Sequence, residues 1–266
     1  MKKLISKENR ALLSELVRTD FKLRYQGSVL GYAWSLLKPL LLFLILYIVF
    51  VKFLKFGGDI PHFPIYLLLG IVLWNFFSEM TGQSLVSIVG RGELIRKIKI
   101  PALVIVLSAN VSALINLGFN LLIVAVFMIF NKVDLLETSL WLPFVLLEIF
   151  ILGLGVSLIL SAAYVKYRDT IHIWEVVMQG AFYVTPILYP MSLITNITYQ
   201  KILLLNPMAQ AIQDARYSLV THETITISSV FGSNYARLIP LFITGVILAI
   251  GILYFRKESK AFAENV

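Results

Sequence analysis

The sequence predicts an all-α integral membrane protein with six transmembrane helices. Three observations point there. Of 266 residues, 59% are hydrophobic and only 14% charged, against about 25% charged in a soluble domain. Apolar runs of about 17–25 residues, the length that crosses a bilayer core, recur along the chain. Lys and Arg gather in alternate connections, as they do where those connections share the cytoplasmic side. There is no cysteine, which excludes a disulfide framework and a thiolate metal site. The net charge of +8 reads as membrane topology rather than as a nucleic-acid-binding face, because no soluble domain is visible to carry such a face. The opening "MKKLISKENRALLSEL" is basic but lacks the apolar core of a signal peptide.

The first expected element is "ALLSELVRTDFKLRY". Leu13, Val17 and Phe21 repeat every four residues, Leu12 and Leu16 widen the stripe, and Ser14, Arg18 and Lys22 repeat on another face. This is an N-terminal amphipathic helix with a basic side, expected to lie flat on the cytoplasmic membrane surface. Spans follow near Trp34–Val51, Phe63–Val89, Ala102–Phe130, Trp141–Val165, Ile171–Leu188 and Leu238–Phe255. The second carries polar residues from Asn75 to Ser87. The third has Ser108, Ser112, Asn116 and Asn120 spaced by four along one face. Such residues bond between packed helices or line a polar pathway. The fifth ends in "FYVTPILYP", Phe182–Pro190, where each proline removes a backbone donor and breaks the helix. The segment from Tyr189 to Arg237 is too apolar for a solvated loop. Within it, Ala209, Ile212, Ala215 and Leu219 fall at helical spacing, with Gln213, Asp214 and Arg216 on other faces.

Charge sets the orientation. Eight basic residues precede or open the first span (Lys2, Lys3, Lys7, Arg10, Arg18, Lys22, Arg24, Lys38), four lie in the second connection (Arg91, Arg96, Lys97, Lys99), two in the fourth (Lys166, Arg168) and three in the tail (Arg256, Lys257, Lys260). The opposite side carries six: Lys52, Lys55, Lys132, Lys201, Arg216 and Arg237. Both termini are therefore expected in the cytoplasm. The chain reads as one membrane domain over residues 1–266, with an interfacial segment 1–33, spans within 34–255 and a tail 256–266.

Little in the sequence suggests catalysis. "GRGELIRK" is not a phosphate-binding loop, His62, His172 and His222 are scattered, and no catalytic residue, metal site or cofactor is expected in this chain. Glu79, Glu148 and Glu175 fall inside apolar stretches, where an ionisable group is costly. Glu148 is the deepest, serving either the transport pathway or a buried pairing. Aromatics make up 13%. Trp34, Trp74, Trp141, Tyr164, Tyr167 and Trp174 suit an interfacial belt, and a ring face can also stack on a sugar.

Four segments in order, "LRYQGSVLGYAWSLLKPL" (Leu23–Leu40), "GELIRKIKIP" (Gly92–Pro101), "YVKYRDT" (Tyr164–Thr170) and "TPILYP" (Thr185–Pro190) with "LNPMAQAIQDAR" (Leu205–Arg216), resemble the transmembrane subunit of ABC-2 type exporters. The similarity is to the branch that moves lipid-linked polysaccharides such as O-antigen, capsule and teichoic acid. The resemblance implies a permease in the cytoplasmic membrane of a bacterium or archaeon. It implies a homodimer joined to two copies of a separate nucleotide-binding subunit, which would hold ATP and Mg²⁺. It implies short re-entrant helices between spans five and six, turning at Asn206-Pro207, as an outer gate built around Tyr183, Pro186, Tyr189 and Pro190, with Lys201 and Arg216 near the outer surface. Glu148 and Asn116 are candidates beside the pathway. Coupling to the ATPase is expected at Glu93, Arg96 and Lys97, and secondarily at Arg18, Lys22, Arg168 and Asp169. The rival readings are an exporter of a drug or lipid on the same fold, and an integral membrane enzyme acting on lipid-linked sugar, which would need clustered acids or a metal site.

Overall fold

The computed structural model describes residues 7–25, 31–55, 58, 60–98, 100–134 and 137–265, and among these it contains helices and no strand. Lys2, Lys3 and Lys99 of the charge pattern, and residues 26–30 of the first matching segment, lie outside the described residues. The helices are α1 (Lys7–Tyr25), α2 (Trp34–Leu46, continued as a π-helix over Tyr47–Phe53), α3 (Phe63–Gly90), α4 (Gly92–Ile98), α5 (Ala102–Phe130), α6 (Leu142–Lys166), α7 (Thr170–Val184), α8 (Ile197–Leu204), α9 (Pro207–Leu219), α10 (Ile227–Phe231), α11 (Leu238–Glu258) and α12 (Phe262–Asn265).

Six crossings are expected from hydropathy. Among the described residues, five helices are long and apolar enough to cross a membrane: Trp34–Phe53, Phe63–Gly90, Ala102–Phe130, Glu137–Lys166 and Asn234–Ala261. The difference is α7. It has 15 residues and so reaches about 22 Å at 1.5 Å per residue, short of a bilayer core of about 30 Å. Its end is chemical. Thr185 is extended, as the residue before a proline prefers, and Pro186 offers no N–H to continue the ladder. The chain then runs through the buried Pro186–Leu188 to Pro190 and a short 3₁₀ turn at Met191–Leu193.

The centre of the molecule is α3. Nearly every side chain from Ile65 to Leu73 is buried, because α5, α6, α7 and α9 all pack on it. By contrast α2 shows Leu41, Leu44, Ile45 and Ile48 outward. The contact of α6 with α11 is the most extensive and is made by glycine. A Cβ at Gly155 would lie 2.9 Å from the backbone of Leu248. One at Gly251 would meet the carbonyl oxygen of Gly155. Small residues are what let two apolar helices approach this closely where no hydrophobic effect drives them together.

The first helix packs on the bundle. Leu16 is buried, and Leu12 and Leu13 pack with it on a cluster that contains Ile88, Ile95, Ile100, Val104, Ile105, Val165, Phe255 and Phe262. The apolar stripe of α1 is thus covered by protein, chiefly the start of α5. Val17 is half-buried, Ser14, Arg18 and Lys22 face outward, and the side chain of Phe21 lies outside the described residues. A second anchor joins α1 to the end of α3: Arg91 pairs with Asp20 and donates to Ser108 Oγ at 2.9 Å.

The segment after α7 forms two short helices, as expected. Asn196 caps α8 by accepting from the Thr198 N–H at 2.9 Å, and Asn206 caps α9 by accepting from the Met208 N–H at 3.0 Å, with Pro207 in the first turn. The surprise is α9. Its residues from Pro207 to Arg216 are all buried, polar ones included, between α3, α6 and α11.

Gly251→Val tests the glycine contact. The added side chain has backbone on its far side, which cannot yield. A loss of about 3 kcal/mol is expected, the upper end of overpacking costs, read as a lower unfolding temperature in detergent micelles. Gly245→Val, whose Cβ position is open, should leave the temperature unchanged.

Candidate functional site

The proline break leaves carbonyls that no helix can satisfy, and the chain brings a donor to them. Arg216, on α9, is fully buried at 0% exposure. Its Nη1 donates to the carbonyl of Pro186 at 2.6 Å, Nη2 to that of Ile187 at 2.7 Å, and Nε to that of Tyr66 on α3 at 2.9 Å. The guanidinium also lies over the Tyr66 ring, 3.7 Å from its centroid. Gly70 makes this possible. It sits one turn beyond Tyr66, and a Cβ there would collide with Nη2. The Tyr66 hydroxyl in turn donates to Gln213 Oε1 at 3.0 Å. One side chain thus ties together α3, α9 and the end of the α7 break. Sequence reasoning placed Arg216 near the outer surface. In the structure its side chain is sealed inside the protein, with two N–H donors on carbonyls of the proline segment and a third on that of Tyr66. The one signal available was an Arg, 30 positions beyond a helix break, on a short helix that also carries Gln210, Gln213 and Asp214.

Next to it on α9, Asp214 accepts from Gln210 at 2.6 Å and pairs with Arg237 at 3.2 Å. Glu148 of α6 is buried near this group, with one carboxyl oxygen unpartnered. Of the predicted gate residues, Pro186 and Pro190 are buried within the junction. Tyr189 is half-buried, and its hydroxyl donates back to the Val184 carbonyl at 3.0 Å. Tyr183 alone of the four presents an open face, with 63% of its surface exposed.

Asn116 lies elsewhere, in a cleft of about 670 Å³ between α2, α3 and α5. Its amide nitrogen donates to Glu79 Oε2 at 2.6 Å, and Gln83 donates to Glu79 Oε1 at 2.7 Å. Asn120, one turn on, donates to the Asn116 carbonyl at 2.9 Å. Trp34 and Lys38 of α2 complete the lining. The polar stripe of α5 therefore divides. Ser108 bonds to Arg91 across helices, whereas Asn116 and Asn120 line the cleft. Glu175, the third acid, is exposed beside His172.

The expected coupling residues share one region. On α4, Ile95 enters the cluster that holds Leu16 of α1, Val165 of α6 and Phe262 of α12. The opposite face of α4 presents Glu93, Arg96 and Lys97, with Lys97 bonded to Glu93 at 3.2 Å. Arg18 is exposed on α1, Arg168 stacks over Tyr164 at 5.3 Å, and Asp169 is exposed at the start of α7. The structure brings the carriers of these residues onto one hydrophobic cluster and keeps the charges outside it.

A bundle of long apolar helices with an interrupted helix, a buried polar short helix and a polar cleft is the build of a transporter membrane domain. The chain belongs to the ABC-2 type transporter family, whose pattern matches residues 11–220. It is 33% identical over 201 residues to an O-antigen export system permease protein RfbA of Myxococcus xanthus, covering 75% of this chain and 76% of that one. It is 29% identical over 255 residues to the protein of the same name from Klebsiella pneumoniae, covering 95% and 94%. A polysialic acid transport protein KpsM of Escherichia coli is 22% identical over 254 residues, 95% of each chain.

Arg216→Ala leaves three buried carbonyls without a donor, at about 1–3 kcal/mol each, and should cost about 3–5 kcal/mol in all, and Gly70→Ala should approach it. Tyr66→Phe removes a single neutral hydrogen bond and should cost about 1 kcal/mol. Thermal unfolding in detergent checks the order. Equal stability of the Arg216 variant and the wild type would remove the junction's structural role.

Proposed function

We propose that this chain is the permease subunit of an ATP-driven exporter that moves a lipid-linked polysaccharide, of the O-antigen, capsule or teichoic-acid kind, across the cytoplasmic membrane. The observation that carries this reading is the match over 95% of the chain to an O-antigen export permease. In this reading the chain hydrolyses no ATP. Two copies join two copies of a separate nucleotide-binding subunit, which docks on Glu93, Arg96 and Lys97, with Arg18, Arg168 and Asp169 at its edge. Support comes from the outward face of α4 and from the shared cluster behind it. The pathway forms between the two permease copies, where the outward apolar faces of α2 and α7 would meet.

The same proposal gives α7 and the proline segment together the role of a fifth crossing, α8 and α9 that of re-entrant gate helices, and both termini a cytoplasmic place. Burial of the α9 polar face supports this, since irregular backbone at membrane depth is tolerated where protein surrounds it. Tyr183 keeps an aromatic face for a passing sugar.

Deleting the chain in its source cell should abolish surface glycan while lipid-linked glycan accumulates inside. Unchanged surface glycan would overturn the reading. Topology has its own test. The chain has no native cysteine, so single Cys residues report cleanly. An impermeant thiol reagent on intact cells should label Lys201→Cys and spare Lys260→Cys. Labelling at position 260 would overturn the six-span arrangement.

A further inference from the structure

We propose that a second, apolar groove, between α2, the start of α3 and the end of α5, holds one anionic phospholipid. A lipid chain lies along α2, and the headgroup phosphate meets Lys52 and Lys132. The proposal goes beyond the exporter reading: it requires a bilayer around the chain and is independent of the glycan cargo.

The groove offers about 400 Å³, within the range of small-molecule sites, about 300–1,000 Å³. It runs from Leu37 to Tyr47, about 15 Å along α2 at the helical rise. Leu37, Leu40, Phe43 and Leu44 form one wall, and Phe127 of α5 forms the other, its ring edge-on to Phe43 at 5.6 Å. Among the described residues, the polar lining is confined to Tyr47 and Asn131 at one end. Asn131 is exposed there and donates to the Phe127 carbonyl at 2.8 Å. Leu41 and Leu44 are 48% and 51% exposed, so the groove opens sideways, where lipid lies against the helix. Both belong to the outward face of α2, which puts a lipid here at the margin of the proposed seam between copies.

The charge stands at the polar end. The Lys52 ammonium lies 5.8 Å from the centroid of the Tyr47 ring, Lys132 follows Asn131 in the chain, and Lys55 comes just beyond Lys52. All three are exposed. The π-helical end of α2 and the end of α5 each place a lysine one residue past the C-cap, Lys55 and Lys132, both at φ 53°. Glycine is the usual occupant of that left-handed position, and here both helices carry a cation instead. The other three basic residues of the expected outer side are engaged: Arg216 on carbonyls, Arg237 with Asp214, and Lys201 over the Phe231 ring at 5.3 Å. Asp134 and Glu137 are exposed, and among the described residues neither pairs with Lys52, Lys55 or Lys132. Asp59 lies outside the described residues. The ligand that fits has a long apolar part and an anion at one end. A saccharide has no apolar chain to lay along the leucines, and a neutral or zwitterionic lipid brings no net charge to the lysines. Basic groups at the membrane surface beside an apolar groove select anionic headgroups.

The test is native mass spectrometry of the purified full chain in detergent, titrated with dioleoyl phosphatidylglycerol or dioleoyl phosphatidylcholine. One phosphatidylglycerol per chain is expected to bind more tightly than phosphatidylcholine. Lys52→Gln with Lys132→Gln should weaken phosphatidylglycerol about thirtyfold, about fivefold for each lysine and multiplied across the two, and leave phosphatidylcholine unchanged. Leu44→Trp puts a ring into the groove and should weaken both lipids, at an unchanged unfolding temperature without lipid. Arg256→Gln with Lys257→Gln, which removes two charges from the end of α11, should leave phosphatidylglycerol binding as it was. Equal retention of the two lipids by the unmodified chain, or full phosphatidylglycerol affinity in the Lys52 and Lys132 double variant, would overturn the proposal. Displacement of the lipid by glycerol 3-phosphate alone would give the site to a soluble phosphate, and dimers that exclude phosphatidylglycerol would give the groove to a second copy. Either result overturns the lipid assignment and leaves the exporter reading intact.

Discussion

A positive charge sealed inside this protein fixes much of the structure around α7 and α9. Removing a guanidinium from water costs several kcal/mol, and Arg216 has carbonyls rather than a carboxylate to offset that. Charge-assisted bonds to carbonyls contribute about 1.5–3 kcal/mol each, and a desolvated cation over a ring about 2 kcal/mol. The balance is favourable only if all of them form together. That requirement reaches far along the chain. It demands a break at Pro186 to free carbonyls, a glycine at position 70 to admit the head group, and the burial of α9 to deliver it. None of these features has a separate explanation as economical.

The same rule, that polar groups in an apolar bundle need partners, organises α3. Its Thr81 receives a bond from the Trp174 indole at 3.2 Å, tying in α7, while Ser84 receives Asn110 from α5, and the Met80 carbonyl receives Ser157 from α6 at 3.3 Å. Interhelical bonds of this kind each add a modest stabilisation, about 0.6 kcal/mol on average inside membranes. Their value lies in register: each fixes the rotation of one helix against another. The cleft opens beside the last of these pairs, Glu79 of α3 with Asn116 of α5.

How much of this could be read from residues alone depends on the length scale of the cause. The long helices were legible because their cause, an unbroken run of apolar side chains, lies within each segment. So were the end of α7 at Thr185–Pro186 and the turn at Asn206-Pro207, where proline acts on its own neighbours. The place of Arg216 was not legible, because its partners stand 150 and 30 positions away, and no local period encodes that. The docking of α1 escaped for a similar reason. An apolar stripe states that Leu12, Leu13 and Leu16 need cover, and it is silent on whether lipid or α5 supplies it. Glu148 and Asn116 stood out as polar residues in apolar runs, and only the fold separated the first, near Asp214, from the second, in the cleft.

The helix α6 has 25 residues, about 37 Å at the ordinary rise. At one end Val165 belongs to the cluster beneath α1, α4 and α12, and at the other Glu148 faces the group around Asp214 on α9. Along its length, Gly155 locks it against α11 with no slack between the backbones. Mechanically, α6 is a splinted strut. A displacement imposed at its Lys166 end has little compliance in which to dissipate, so it arrives at α9 as motion of the whole strut rather than as bending.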